Sequence, residues 1–132
     1  MITKENLIKA AEEMFDNIRV DECEKNVPNL EHYDVVIVHH EHPDIRLIFA
    51  TLLHNQYDNY GRWTIKLPWN DNESFKYTAE FDVTPHQLLY DVMTLVKETI
   101  TEKIEYYGKF LEILNQEDIN NEKKFLYIKR GY

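Results

Sequence analysis

The sequence predicts an α+β fold: a single domain with an N-terminal helix, a four-stranded antiparallel meander sheet and a long C-terminal helix. The closing segment could add a short fifth strand, giving the order α-β-β-β-β-α-β. Three observations predict this. Apolar residues recur at helical spacing at both ends of the chain, they run or alternate at strand spacing through the middle, and the connectors between the middle runs are too short for parallel crossovers. At 132 residues, with 43% hydrophobic and 13% aromatic residues, the chain is long enough to bury a core without disulfides.

Thr3 is placed to cap a first helix over about Lys4–Ile18, with Leu7, Ala11, Met14, Phe15 and Ile18 on one face and Lys9, Glu12, Glu13 and Asp16 mostly on the other. The stretch VDECEKNVPNLEH then reads as an acidic loop. Tyr33–His40 and Ile45–His54 are nearly continuous apolar runs, the pattern of strands covered on both faces. Gly61–Leu67 and Ser74–Val83 alternate, with Trp63, Ile65 and Leu67 and then Phe75, Tyr77, Ala79, Phe81 and Val83 facing one way. The connectors EHPD, NQYDNY and PWNDNE are turn-rich and of hairpin length.

In TPHQ, Thr84 is the N-cap, Pro85 the first helical residue and Gln87 the partner of a capping box. The stripe that follows runs from Leu88 to Leu114. A helix over 85–115 would be about 46 Å long at 1.5 Å per residue, more than the roughly 36 Å width of a compact globule of this size. It should therefore break, with Gly108 the expected place, or pack on a partner, which makes it a candidate homodimer surface. NQEDINNE reads as a loop and KFLYIKR as a strand or a tail.

Charge is uneven. The net charge is −9; residues 1–44 hold 11 acids and 4 bases, and residues 45–132 hold 13 acids and 11 bases. Such a chain repels phosphate backbones and attracts basic surfaces, so direct nucleic-acid binding is not expected. No apolar run approaches the ~20 residues of a membrane span. The opening MITKENLIKAAEEMF lacks the order of a signal peptide, and the single cysteine, Cys23, excludes an internal disulfide; a cytoplasmic protein is expected.

No catalytic set is singled out by spacing, so a non-enzymatic protein is expected, with a metal- or small-molecule-binding protein or enzyme using the His-rich hairpin as the alternative. HHEHPD carries His39, His40 and His42 around Pro43, which suits a hairpin turn. His40, His42 and Asp44 are the alternative, as ligands to zinc or manganese, but no ligand from a second element joins them, and no metal is expected. Ser74 is the only serine, acids flank Cys23, and Gly61, Gly108 and Gly131 cannot compose a phosphate-binding loop. No cofactor is implied. The remaining reading is a non-enzymatic binding protein that blocks a basic partner, such as a nucleic-acid-binding enzyme. Glu12, Glu13, Asp16, Asp21, Glu22 and Glu24 would make the contact, with Tyr57 and Tyr60 as aromatic anchors. In size, acidity and build the chain resembles phage anti-defence and toxin-immunity proteins as a general class, although no motif ties it to one family.

Overall fold

The computed structural model describes residues 2–23, 28–38, 41–42, 44, 46–55, 62–78 and 83–129, with side chains to residue 123. The elements are α1 (Lys4–Met14), β1 (Ile18–Glu22), β2 (Leu30–Val38), β3 (Arg46–Asn55), β4 (Arg62–Leu67), β5 (Glu73–Thr78) and α2 (Pro85–Lys129). The five strands form one antiparallel sheet in the order β1-β2-β3-β4-β5, so the α+β meander between two helices is as expected. The extra strand lies elsewhere: it precedes the meander as β1, and the C-terminal KFLYIKR segment is helical as far as Lys129.

Several boundaries differ from the expectation for identifiable reasons. The first helix is capped by Thr3, whose Oγ1 accepts from the Asn6 N–H at 3.2 Å, but it ends at Met14, and Phe15 is already extended. Ile18, placed on the helix by its spacing, instead opens β1. There Ile18 and Val20 alternate with Arg19 and Asp21, and Val20 buries against the sheet opposite Val35. The stretch read as an acidic loop therefore begins as an edge strand. NQEDINNE is helical despite its poor propensity, and Gly108 does not interrupt α2.

The chain forms two compact units, residues 1–96 and 97–132. In the first, one face of the sheet carries the core. Leu7, Ala10 and Ala11 of α1 and Leu88, Leu89, Val92 and Val96 of α2 bury against Tyr33, Val35, Leu52, Trp63, Ile65 and Leu67. Each of these Leu and Ile side chains is worth about 1.5–3 kcal/mol when fully buried. The opposite face is polar across the strands, with Asp21, Asp34, Thr51, Lys66 and Ser74 in register from β1 to β5. It is not bare at its centre: Val36 and Thr51 on this side are buried as well, at 0% and 7% exposure, as the nearly continuous apolar runs suggested, and a bulge lengthens the buried run. Register shifts at Val35/Val36, so that Phe49 is an extra residue in β3 and two consecutive residues, Phe49 and Ala50, are both buried. Beyond the bulge Ile37, Leu47 and Ile48 are exposed.

Polar side chains tie the elements down. The Trp69 indole N–H donates to the carbonyl of the bulged Phe49 at 2.6 Å, which fixes the β4–β5 connector onto β3. Asp71 and Asn72 both take φ of 56°, the geometry of a tight hairpin turn closed by Glu73 N–H to Asn70 O. Thr84 caps α2 through Gln87 N–H at 3.1 Å. The reciprocal half of the expected capping box is not made: the Gln87 side chain donates instead to Asp91, whose other oxygen accepts from the Tyr77 hydroxyl of β5.

Candidate functional site

The strand missed by periodicity positions the most distinctive surface of the first unit. Among the described residues β1 is an edge, paired with β2 alone, and α1 lies beside it. In an antiparallel ladder alternate residues turn their backbone groups toward the neighbour. Cys23 N–H donates to His32 O and Asn17 O accepts from Val38 N–H, so the odd-numbered residues face β2. Val20 and Glu22 therefore turn their N–H and C=O groups outward. Between this edge and α1 runs a groove lined by Lys4, Ile8 and Glu12 of α1, Arg19 to Cys23 along β1, Asp34 of β2 and Arg46 of β3.

The groove is polyampholytic. Four carboxylates, of Glu12, Asp21, Glu22 and Asp34, line it with three cations, of Lys4, Arg19 and Arg46. Asp21 and Asp34 stand directly opposite in the ladder, an arrangement that costs free energy when both are ionised and unsupported. Both are supported. Arg46 Nη2 is 2.6 Å and Arg19 Nε 2.9 Å from Asp21, while Thr51 donates its hydroxyl to Asp34 at 3.2 Å and His32 Nε2 lies 3.6 Å away. Lys4 Nζ is 2.5 Å from Glu22, and that hydrogen bond, followed by the Glu22 charge, raises the pKa of the lysine. Exposed pairs of this kind add little to folding, typically below about 1 kcal/mol. Among the described residues no cation pairs with Glu12.

Of the six acids singled out by charge density, the structure brings Glu12, Asp21 and Glu22 to this groove. Glu13 is elsewhere on α1, 2.8 Å from His86 Nε2 at the start of α2, and Asp16 is exposed after α1. Glu24, Tyr57 and Tyr60 lie outside the described residues, as do His39, His40 and Pro43 with the expected turn. His42 and Asp44 are exposed, and among the described residues no group of three His, Cys, Asp or Glu side chains is placed to hold a metal ion. Arg19, Arg46 and Lys4 were not expected at the site; the Arg19/Asp21 alternation was the available signal, because it marks a strand with both side chains on one face.

Tyr33 closes the core next to this region. It is 4% exposed, and burial, followed by the charges of Glu31, Glu22 and Glu5, pushes its phenol up to about 12. At the far end of the same face His54 stacks on Trp63 with ring centroids 4.7 Å apart and lies 3.3 Å from Glu31. Among the described residues no helix is long and apolar enough to cross a membrane. No protein-family model, curated protein or solved structure matches this chain.

Proposed function

We propose that the chain is a non-enzymatic binding protein that holds an extended, basic segment of a partner along the open edge of β1 and so blocks the surface to which that segment belongs. One observation carries the reading: Glu12, Asp21 and Glu22 line a groove whose floor is an unpaired strand edge and whose wall is α1. An edge strand offers a ready row of backbone donors and acceptors, and strand addition uses them for affinity while flanking side chains select the sequence. The outward groups of Val20 and Glu22 supply the backbone bonds. Glu12 supplies a carboxylate for a partner cation, and Glu22 can exchange Lys4 for another. The overall charge of −9 steers a basic partner toward the chain. A cytoplasmic inhibitor of a nucleic-acid-binding enzyme, of the phage anti-defence or toxin-immunity kind, is the biological form that best fits this chemistry, and the free Cys23 suits a reducing compartment.

The test is anisotropy of a labelled alternating Lys–Val decapeptide, with a Glu–Val decapeptide as control. The Lys–Val peptide is expected to bind, more weakly as salt is added. Glu22→Pro, which removes an outward N–H but no bond of the β1–β2 ladder, should abolish binding with the fold intact. Equal binding of both peptides, or binding that survives Glu22→Pro, would refute strand addition at β1.

A further inference from the structure

We propose that residues 100–118 of α2 pair antiparallel with the same segment of a second copy, about a two-fold axis beside Gly108 and Lys109. Three independent observations within the 97–132 unit support this. Ile100, Ile104, Tyr107, Leu111 and Leu114 recur at the alternating four- and three-residue spacing of a helix-pairing seam, and all are exposed, Ile104 at 66%. From Ile104 to Lys123 no described side chain is buried. A helix without tertiary packing is marginal in water, and an apolar stripe of this length calls for a cover.

Gly108 is the second observation. A glycine inside a helix weakens it, yet a Cβ at Gly108 would meet nothing within 4 Å. Nothing among the described residues requires the missing side chain, whereas a second helix crossing at this point would: bare backbone permits close approach, and the two-fold sets Gly108 against its own copy.

Charge is the third observation, and it selects orientation and register. A two-fold interface is self-complementary, so a residue and its partner exchange roles across the axis. With Ile104 level with Leu114 of the other copy and Tyr107 level with Leu111, Phe110 meets its own copy on one flank. On that flank Lys103 faces Glu117 of the other copy, twice. Lys103 is already held beside the seam, with its Nζ 5.6 Å from the centre of the Tyr107 ring. Shifting the pairing by one layer toward the N-terminus sets Lys103 against Phe110 and loses both ion pairs. Parallel pairing sets Lys103 beside Gly108, again without a carboxylate. Beyond Leu114 the seam positions are Asp118 and Asn121, which limit the apolar contact to the stretch centred on the axis.

The full chain at tens of micromolar is expected to sediment as a dimer. Ile104→Glu with Leu111→Glu should render it monomeric, lowering association at least about 100-fold, with the tertiary signal of the 1–96 unit unchanged because neither side chain belongs to that core. The register is read by charge exchange: Lys103→Glu alone weakens the dimer, and Lys103→Glu with Glu117→Lys restores it. A wild-type chain that stays monomeric at hundreds of micromolar overturns the proposal, whatever else the helix then binds. A dimer that the double exchange fails to restore overturns the antiparallel register.

Discussion

Residues 85–96 and 97–123 belong to one helix and share one apolar period, yet Leu88, Leu89 and Val92 are wholly buried while Ile104, Leu111 and Leu114 are half or more exposed. The difference lies in what covers the two stretches. In the first unit the stripe meets Leu52, Ile65 and the rest of the sheet's apolar face. In the second, every described side chain from Ile104 to Lys123 is exposed. Helical periodicity states which residues share a face; it does not state whether that face is closed by the same chain or by another.

The sharpest way to break this comparison is to truncate one residue from each stretch. Leu88→Ala opens a cavity in the sheet–helix core and should cost about 2–5 kcal/mol. Leu111→Ala, measured in dilute solution by urea denaturation of the same chain, should shift stability by no more than about 0.5 kcal/mol, because an exposed side chain leaves no cavity. Equal losses would mean that the two stretches are packed alike.

Next in size is the alkaline behaviour of Tyr33, which forms part of the floor beneath the packed stretch. Its folded pKa is raised above the unfolded value, so the neutral phenol contributes stability that is fully present below pH 10 and lost as pH rises toward about 12. With solvent screening of the partly buried phenol taken into account, the effect should be about 1–2 kcal/mol. Urea midpoints of the wild type should fall across that window beyond the common drift, and Tyr33→Phe should remove the extra fall. If the two proteins lose stability in parallel, the phenol is not buried as described.

The smallest effect concerns how the packed stretch begins. Thr84→Ala removes the acceptor of the Gln87 N–H and should cost about 1 kcal/mol in a urea melt. Gln87→Ala should cost less, because its side chain bonds Asp91 one turn on and not the cap backbone.

Much of this architecture was legible in the residues, and the failures have physical causes. Thr84-Pro85 marked the start of α2 because capping is local chemistry, and the alternation of Trp63, Ile65 and Leu67 marked β4 because one face is covered and the other is not. β1 was hidden because its five residues follow a helix whose apolar spacing includes Ile18, and only pairing with β2 decides between the two periods. The continuous runs suggested strands covered on both faces; Val36 and Thr51 are buried on the second face, and the bulge at Phe49 accounts only for the extra buried neighbour of Ala50. The candidate site was half legible: charge density picked out Glu12, Asp21 and Glu22, but the groove depends on β1 being an edge and on Arg19 and Arg46 converging on Asp21. The continuation of α2 beyond Asn115 was not legible, since Asn-rich, polar sequence has low intrinsic helix preference.

On the proposed pairing, one helical period of α2 serves two different covers. Amide hydrogen exchange along α2, followed as a function of protein concentration, tests it directly, because protection reports the free energy of local opening. Peptides from residues 88–96 should be protected to the same degree at every concentration. Peptides from residues 100–114 should exchange rapidly in dilute protein and gain protection as the chain associates. If 100–114 is as protected as 88–96 in the most dilute sample, the second stretch is covered within its own chain and the account fails.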